Sequence, residues 1–213
     1  MTIRNHDFLE VAHWVLRDEI AALQKLDQTL DEKFNRACGM IINCSGRIIF
    51  CGIGHSGHIA SKSAANMSSL VRPAFFLHAS EAAHGDLGAV DAKDLVIFIS
   101  NSGETSEILT ILPHIKKIRT NTVAIVNNPN STLGKACDLT LSIGPIEEAG
   151  PIKFAGSSSA MNSMALCDAL VMTIAYSKNM SEENYLCFHP GGNIGDLLRS
   201  KYNFSKKDGR NEK

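Results

Sequence analysis

Five short runs of apolar residues constrain this chain more than any other feature. They are RIIFCG at 47–52, AFFL at 74–77, DLVIFIS at 94–100, TVAIV at 122–126 and LTLSI at 139–143. The first four do not alternate apolar with polar; only the short LTLSI does. A strand with one wet face alternates; a strand buried on both faces reads as a continuous run, and that is the signature of a parallel sheet. Helical spacing fills the gaps at 57–70 and 104–118, a short turn is expected at 131–136, and a long helix is predicted over 158–177. The expected fold is α/β: a doubly wound five-stranded parallel sheet flanked by helices. An N-terminal helical extension precedes it. Leu9, Ala12, His13, Leu16, Ile20, Leu23 and Leu26 form an amphipathic stripe over 7–27, and a second helix is expected over 29–43. Residues 1–200 read as a single domain and 201–213 as a polar, basic, flexible tail.

Composition narrows the function classes. In 213 residues, 44% are hydrophobic, enough for a core. Lys and Arg total 21 against 22 for Asp and Glu, so no basic footprint for nucleic acid exists, and aromatic residues that could stack on bases are few. The six cysteines are scattered without a CxxC pair, and no apolar signal segment opens the chain. Free thiols in a reducing cytoplasm are expected, most of them small core residues. No apolar run approaches the ~20 residues of a membrane span, so no membrane partner is expected. The chain has no Gx4GK[ST] loop, no GxSxG elbow and no HExxH pair; its glycines at 52, 54 and 57 have the GxGxxG spacing, but the acidic residue that a dinucleotide site needs at the end of the second strand is missing. No cofactor and no metal are therefore expected.

Ligands of open α/β sheets bind beyond the carboxyl ends of the strands. After the first run comes GIGHSGH at 52–58, and after the third comes SNSGETSE at 100–107. The second places Ser100, Asn101, Ser102 and Thr105 at a helix start, where unpaired N–H groups and the helix dipole favour an anion. A single cap needs one hydroxyl, and more than one is present, so a phosphate monoester is the expected ligand; Ser102 acting only as an N-cap is the alternative. Ser157, Ser158 and Ser159 open the long helix with the same logic. His84 and His189 lie in glycine-bordered loops, and Glu147 and Glu148 precede an Ala-Gly-Pro turn.

Together, GIGHSGH, AAHGDLG at 82–88, ISNSGETSEI at 99–108, EEAGPIKFAGSSS at 147–159 and FHPGGNIG at 188–195 resemble the sugar isomerase (SIS) domain, in particular its arabinose-5-phosphate isomerases of the Kdo and capsule pathways. The resemblance runs from about residue 10 to 200. It implies a small-molecule sugar phosphate as substrate. It also implies a homo-oligomer, dimer or tetramer, with shared active sites. Ser100, Ser102 and Thr105 would hold the phosphate, and His84, Glu107, Glu148 and His189 would form the catalytic set. The chain departs from the family in carrying His55 where a lysine is usual, and it has no room for the CBS domain pair of many members. The implied reaction interconverts D-ribulose 5-phosphate and D-arabinose 5-phosphate through an enediolate. His189 and Glu148 are candidate bases, His84 and His55 candidate polarising groups, and Glu107 is preferred over Glu104 because the two are expected on one helix face. Two alternatives stand beside it: a non-catalytic phosphosugar sensor, disfavoured by the lack of a preceding DNA-binding module, and an isomerase of another sugar phosphate.

Overall fold

The computed structural model describes residues 7–202. The apolar runs become β1 (Ile48–Gly52), β2 (Ala74–His78), β3 (Leu95–Ile99), β4 (Asn121–Val126) and β5 (Leu139–Ser142). They form one sheet in the order β2-β1-β3-β4-β5, every neighbouring pair parallel. β1 and β3 are buried along their whole length, as the continuous runs require. Chain order reverses direction between β1 and β3, so the crevice of this fold opens at their carboxyl ends.

Helices cover both faces. On one side lie α1 (Phe8–Thr29), α2 (Glu32–Asn43), α3 (Gly54–Leu70) and α7 (Ser158–Ser177), where Ile48, Phe50, Ile97 and Ile125 of the sheet pack with Ile59, Met67, Leu170 and Ile174. On the other lie α4 (Ala79–Ala83), α5 (Ser106–Ile118) and α6 (Thr132–Ala136), against Ile49, Phe98 and Val126. Two more helices, α8 (Glu182–Phe188) and α9 (Gly192–Tyr202), follow α7. By length and hydropathy α7 could cross a bilayer, a possibility that counting unbroken apolar residues overlooks. It is instead a packed helix: buried Asn162 donates from Nδ2 to the carbonyls of Ala22 and Ile143, tying α7 to α1 and to the end of β5.

At the opposite, amino-terminal end of the sheet, Asp94 is the tie. Its buried carboxylate accepts from the Arg47 backbone N–H at 2.7 Å, from the Arg47 guanidinium at 3.0 Å and from the Asp91 N–H at 2.9 Å. Burial pushes its carboxyl up, but these donors outweigh burial and hold it below the usual range.

Four differences from expectation have physical causes. The α1 stripe is only half used: Ala22 and Leu26 are buried, whereas Leu9 is 65% exposed and Leu16 and Ile20 stand out in solvent, because α7 meets the carboxyl-terminal half of α1. α5 starts at Ser106 rather than 104, since Gly103 sits at φ +69° and turns the chain before the helix begins. Lys201 and Tyr202, expected in the tail, end α9 and both bond Glu182; residues 203–213 of that tail lie outside the described residues. All six cysteines are free, but only Cys38, Cys51 and Cys167 are buried, and Cys187 is exposed. Burial pushes the thiols of Cys51 and Cys167 up to about 12, which leaves them inert at neutral pH.

Candidate active site

The crevice beyond β1 and β3 holds a cleft of about 330 Å3 lined by His55, Ser56, Asn101, Ser102, Thr105, Glu148, Phe154 and Ser159, among others. Three helices begin on its wall. α3 enters from β1 through Gly54, with Ile53 as an N-cap that has no side-chain bond to offer. α5 enters from β3 with Thr105 at its N-cap, also without a side-chain cap bond. α7 enters from the far side at Ser157. Three sets of orphan N–H groups and three positive dipole ends therefore meet over one volume.

The 100–105 loop is braced from behind. Ser100 is buried; its Oγ accepts from the Gly103 N–H at 3.1 Å and shares a 2.8 Å hydrogen bond with Thr105 Oγ1. Ser100 is thus absent from the cleft wall and orients Thr105, which is on it. Ser102 is not the helix cap; its Oγ accepts only the nearby Glu104 N–H. Asn101 reaches the cleft with a buried Oδ1 that has no protein partner. Glu104 does not share a helix face with Glu107. It precedes the helix, and its carboxylate accepts the Thr132 N–H at 2.7 Å at the start of α6. Gly103 packs against the same turn so tightly that a Cβ there would lie 2.0 Å from Ser131 Oγ.

Glu148 occupies the end of α7. Its carboxylate accepts from Ser157 N, Ser157 Oγ, Ser159 N and Ser159 Oγ, at 2.8, 3.1, 3.1 and 2.5 Å. Burial raises its pKa, but the Ser159 hydroxyl and the Ser157 and Ser159 amides outweigh burial and keep it below the ordinary carboxylate range. This corrects the expectation for the serine cluster. Ser157 is committed to Glu148, the Ser158 Oγ is buried without a protein partner, and neither lines the cleft. Because α7 already holds an internal anion, the open ends are those of α3 and α5, which leaves one side of the cleft suited to an incoming phosphate.

His55, on the first turn of α3, faces this volume beside Gly156. The other three expected groups are elsewhere. Glu107 is on the first turn of α5, accepting from Ser106 Oγ at 2.9 Å; its own backbone N–H and that hydroxyl hold its carboxyl low. His84 is exposed at the end of α4. His189 ends α8, its ring stacked on Tyr185 with centroids 3.8 Å apart. Within one chain, then, His55 and Glu148 meet the hydroxyl loop, and Glu107, His84 and His189 do not. Sequence reasoning named Ser159 only as a member of the triple-serine run, where it is the one serine on the cleft wall, and missed Phe154, whose only signal is an aromatic residue in a polar loop. No group of three His, Cys, Asp or Glu gathers to hold a metal among the described residues.

The SIS domain family model matches residues 41–173. Arabinose 5-phosphate isomerase KdsD of Yersinia pestis is 41% identical over 192 residues, covering 90% of this chain and 58% of its own length. Arabinose 5-phosphate isomerase KpsF of Escherichia coli is 39% identical over 187 residues, covering 87% of this chain and 57% of its own. The chain thus spans under two thirds of the length of these curated relatives. Among solved structures, the c3406 protein of E. coli CFT073, in complex with arabinose 5-phosphate, superposes with a TM-score of 0.85 at 34% identity, covering 88% of this chain and 100% of that one.

Proposed function

The chain belongs to the SIS domain family, and from that premise we propose that it is an aldose–ketose isomerase interconverting D-arabinose 5-phosphate and D-ribulose 5-phosphate. The observation that carries this reading is the cleft: the hydroxyl loop and two open helix ends face the capped carboxylate of Glu148 and the imidazole of His55 across about 330 Å3. Ser102, Thr105 and Asn101 anchor the phosphate, with Ser100 behind them as a brace. Isomerisation moves a proton from C2 of the aldose to C1 through a cis-enediolate, while a second group protonates the carbonyl oxygen and takes the proton from the C2 hydroxyl. Glu148 is the carboxylate on the cleft, and His55 carries both a donor and an acceptor when neutral. Within one chain the cleft holds the anchor and two of the five proton-handling candidates, Glu148 and His55.

Glu107, His84 and His189 enter through a second copy of the chain. Phe188, Ile194 and Leu197 are exposed around His189, and Leu9, Leu16 and Ile20 are exposed on α1, more apolar surface than isolated side chains account for. A homo-oligomer of cytoplasmic chains sharing active sites covers these faces and supplies the missing groups. One observation favours a second reading, a phosphosugar sensor: the cradle is complete in one chain and most of the proton-handling set is not. The test is a sugar panel with molar mass measured in parallel. The isomerase reading expects turnover of arabinose 5-phosphate above hexulose and heptose phosphates, by an oligomer, and a roughly 10²–10⁴-fold lower kcat in Glu148→Gln. Tight binding without turnover favours the sensor.

A further inference from the structure

Phe154 is 93% exposed, the most exposed of the large apolar side chains among the described residues, yet it lines the cleft. An aromatic ring bare to water gains free energy when an apolar surface covers it, and this one stands at the mouth of a cleft. The loop that presents it is closed at its base through Glu148. The Lys153 ammonium donates to the Glu148 carbonyl at 2.9 Å, and the Ser157 N–H donates to the Glu148 carboxylate at 2.8 Å. Between these ties the Ala155 N–H closes a turn onto the Ile152 carbonyl at 3.2 Å. Gly150 starts the excursion at φ +70°, its N–H held by Asp18 at 3.0 Å. The ring therefore stands at the tip of a short loop whose base is the carboxylate on the cleft wall.

The rest of the cleft sorts by chemistry. Hydroxyls, an amide, an imidazole and a carboxylate answer the polar groups of a sugar phosphate. The apolar members Ile53, Ile59 and Ala160 come from the helical walls. A sugar phosphate also presents C–H groups, and Phe154 is the large uncommitted apolar surface on the loop side. We propose that Phe154 is a substrate-contacting specificity residue that covers the carbon chain of the bound sugar phosphate and excludes water from the atoms between the phosphate anchor and Glu148. The inference rests on the phosphosugar reading of this cleft but not on turnover. Covering C–H surface with an aromatic ring adds affinity for the sugar portion and none for the phosphate, and shutting out bulk water strengthens the polar contacts inside.

The discriminating experiment is calorimetric binding of arabinose 5-phosphate and of inorganic phosphate to the wild-type chain and to Phe154→Ala and Phe154→Leu, with molar mass recorded for each. Burying a ring of this size predicts about a tenfold weaker Kd for the sugar phosphate in Phe154→Ala, a smaller loss in Phe154→Leu, an unchanged Kd for inorganic phosphate, and an unchanged oligomer. An unaltered sugar-phosphate Kd overturns the inference. So does an equal loss for both ligands, which would mean the loop had merely collapsed. Dissociation of an oligomer without a change in Kd per site also overturns it, since a second copy would then be what covers the ring. A wild-type chain that binds the sugar phosphate without converting it removes the isomerase reading and leaves this one to be decided by the same Kd values.

Discussion

Ser102 and Ser100 are two residues apart in one motif and do different work, which only the structure separates. Ser100 is buried and braces Thr105 and the Gly103 N–H; Ser102 faces the cleft. Ser102→Ala is therefore expected to raise KM for a sugar phosphate more than it lowers kcat, because a remote anchor serves ground and transition states alike. Losing one hydrogen bond to a charged group costs about 1.5–3 kcal/mol, so KM should rise roughly tenfold or more; steady-state kinetics reads the split, and an unchanged KM removes Ser102 from the anchor. The types of residue needed were legible in the sequence because a phosphate needs uncharged donors at a helix start. Their division was not, since hydroxyl side chains on either side of a loop look identical in a string. The same limit applies to Ser157: a run of serines predicts a helix cap, but not that the capping anion is Glu148 from nine residues earlier.

At the scale of elements, the long ones followed from their patterns. The five apolar runs match the five strands within about one residue at each end, and the 158–177 helix matches α7. The short ones did not: α4 and α6 have five residues each, too few for a 3.6-residue period to declare itself, so α4 went unread and α6 read only as a short turn over 131–136. The start of α5 was displaced by a tertiary effect, the seating of the 103–105 turn against Ser131 and Thr132. That seating yields a prediction. Gly103→Ala must adopt a left-handed backbone costing about 1–3 kcal/mol, and its Cβ would meet Ser131 Cβ at 2.5 Å as well as the hydroxyl. The variant should melt several degrees lower and lose phosphate affinity together, because one turn carries both; thermal denaturation with and without inorganic phosphate measures it. A variant of normal stability would contradict the packing described.

For the whole molecule, the sheet divides the chain's tasks: the carboxyl ends of the strands carry the cleft, and the amino ends carry the Asp94 tie. The folded pKa of Asp94 lies below its ordinary value of 3.8. Its contribution to stability is accordingly present in full above that value and lost as pH falls through the folded one. Asp94→Asn should be less stable than wild type near neutrality, and the gap should narrow on acidification below roughly pH 4; urea midpoints at several pH values report this, and a constant gap would argue against the ionised carboxylate as the source. Glu107, His84 and His189 were grouped with the cleft by resemblance and stand outside its lining in one chain, because a string carries no record of which loops the fold brings together. The most direct test of the central claim is proton NMR of the purified chain with D-arabinose 5-phosphate in D2O, with no added cofactor. The account predicts appearance of D-ribulose 5-phosphate, with deuterium entering at the carbons between which the proton moves. Binding with neither ketose formation nor deuterium uptake would contradict it.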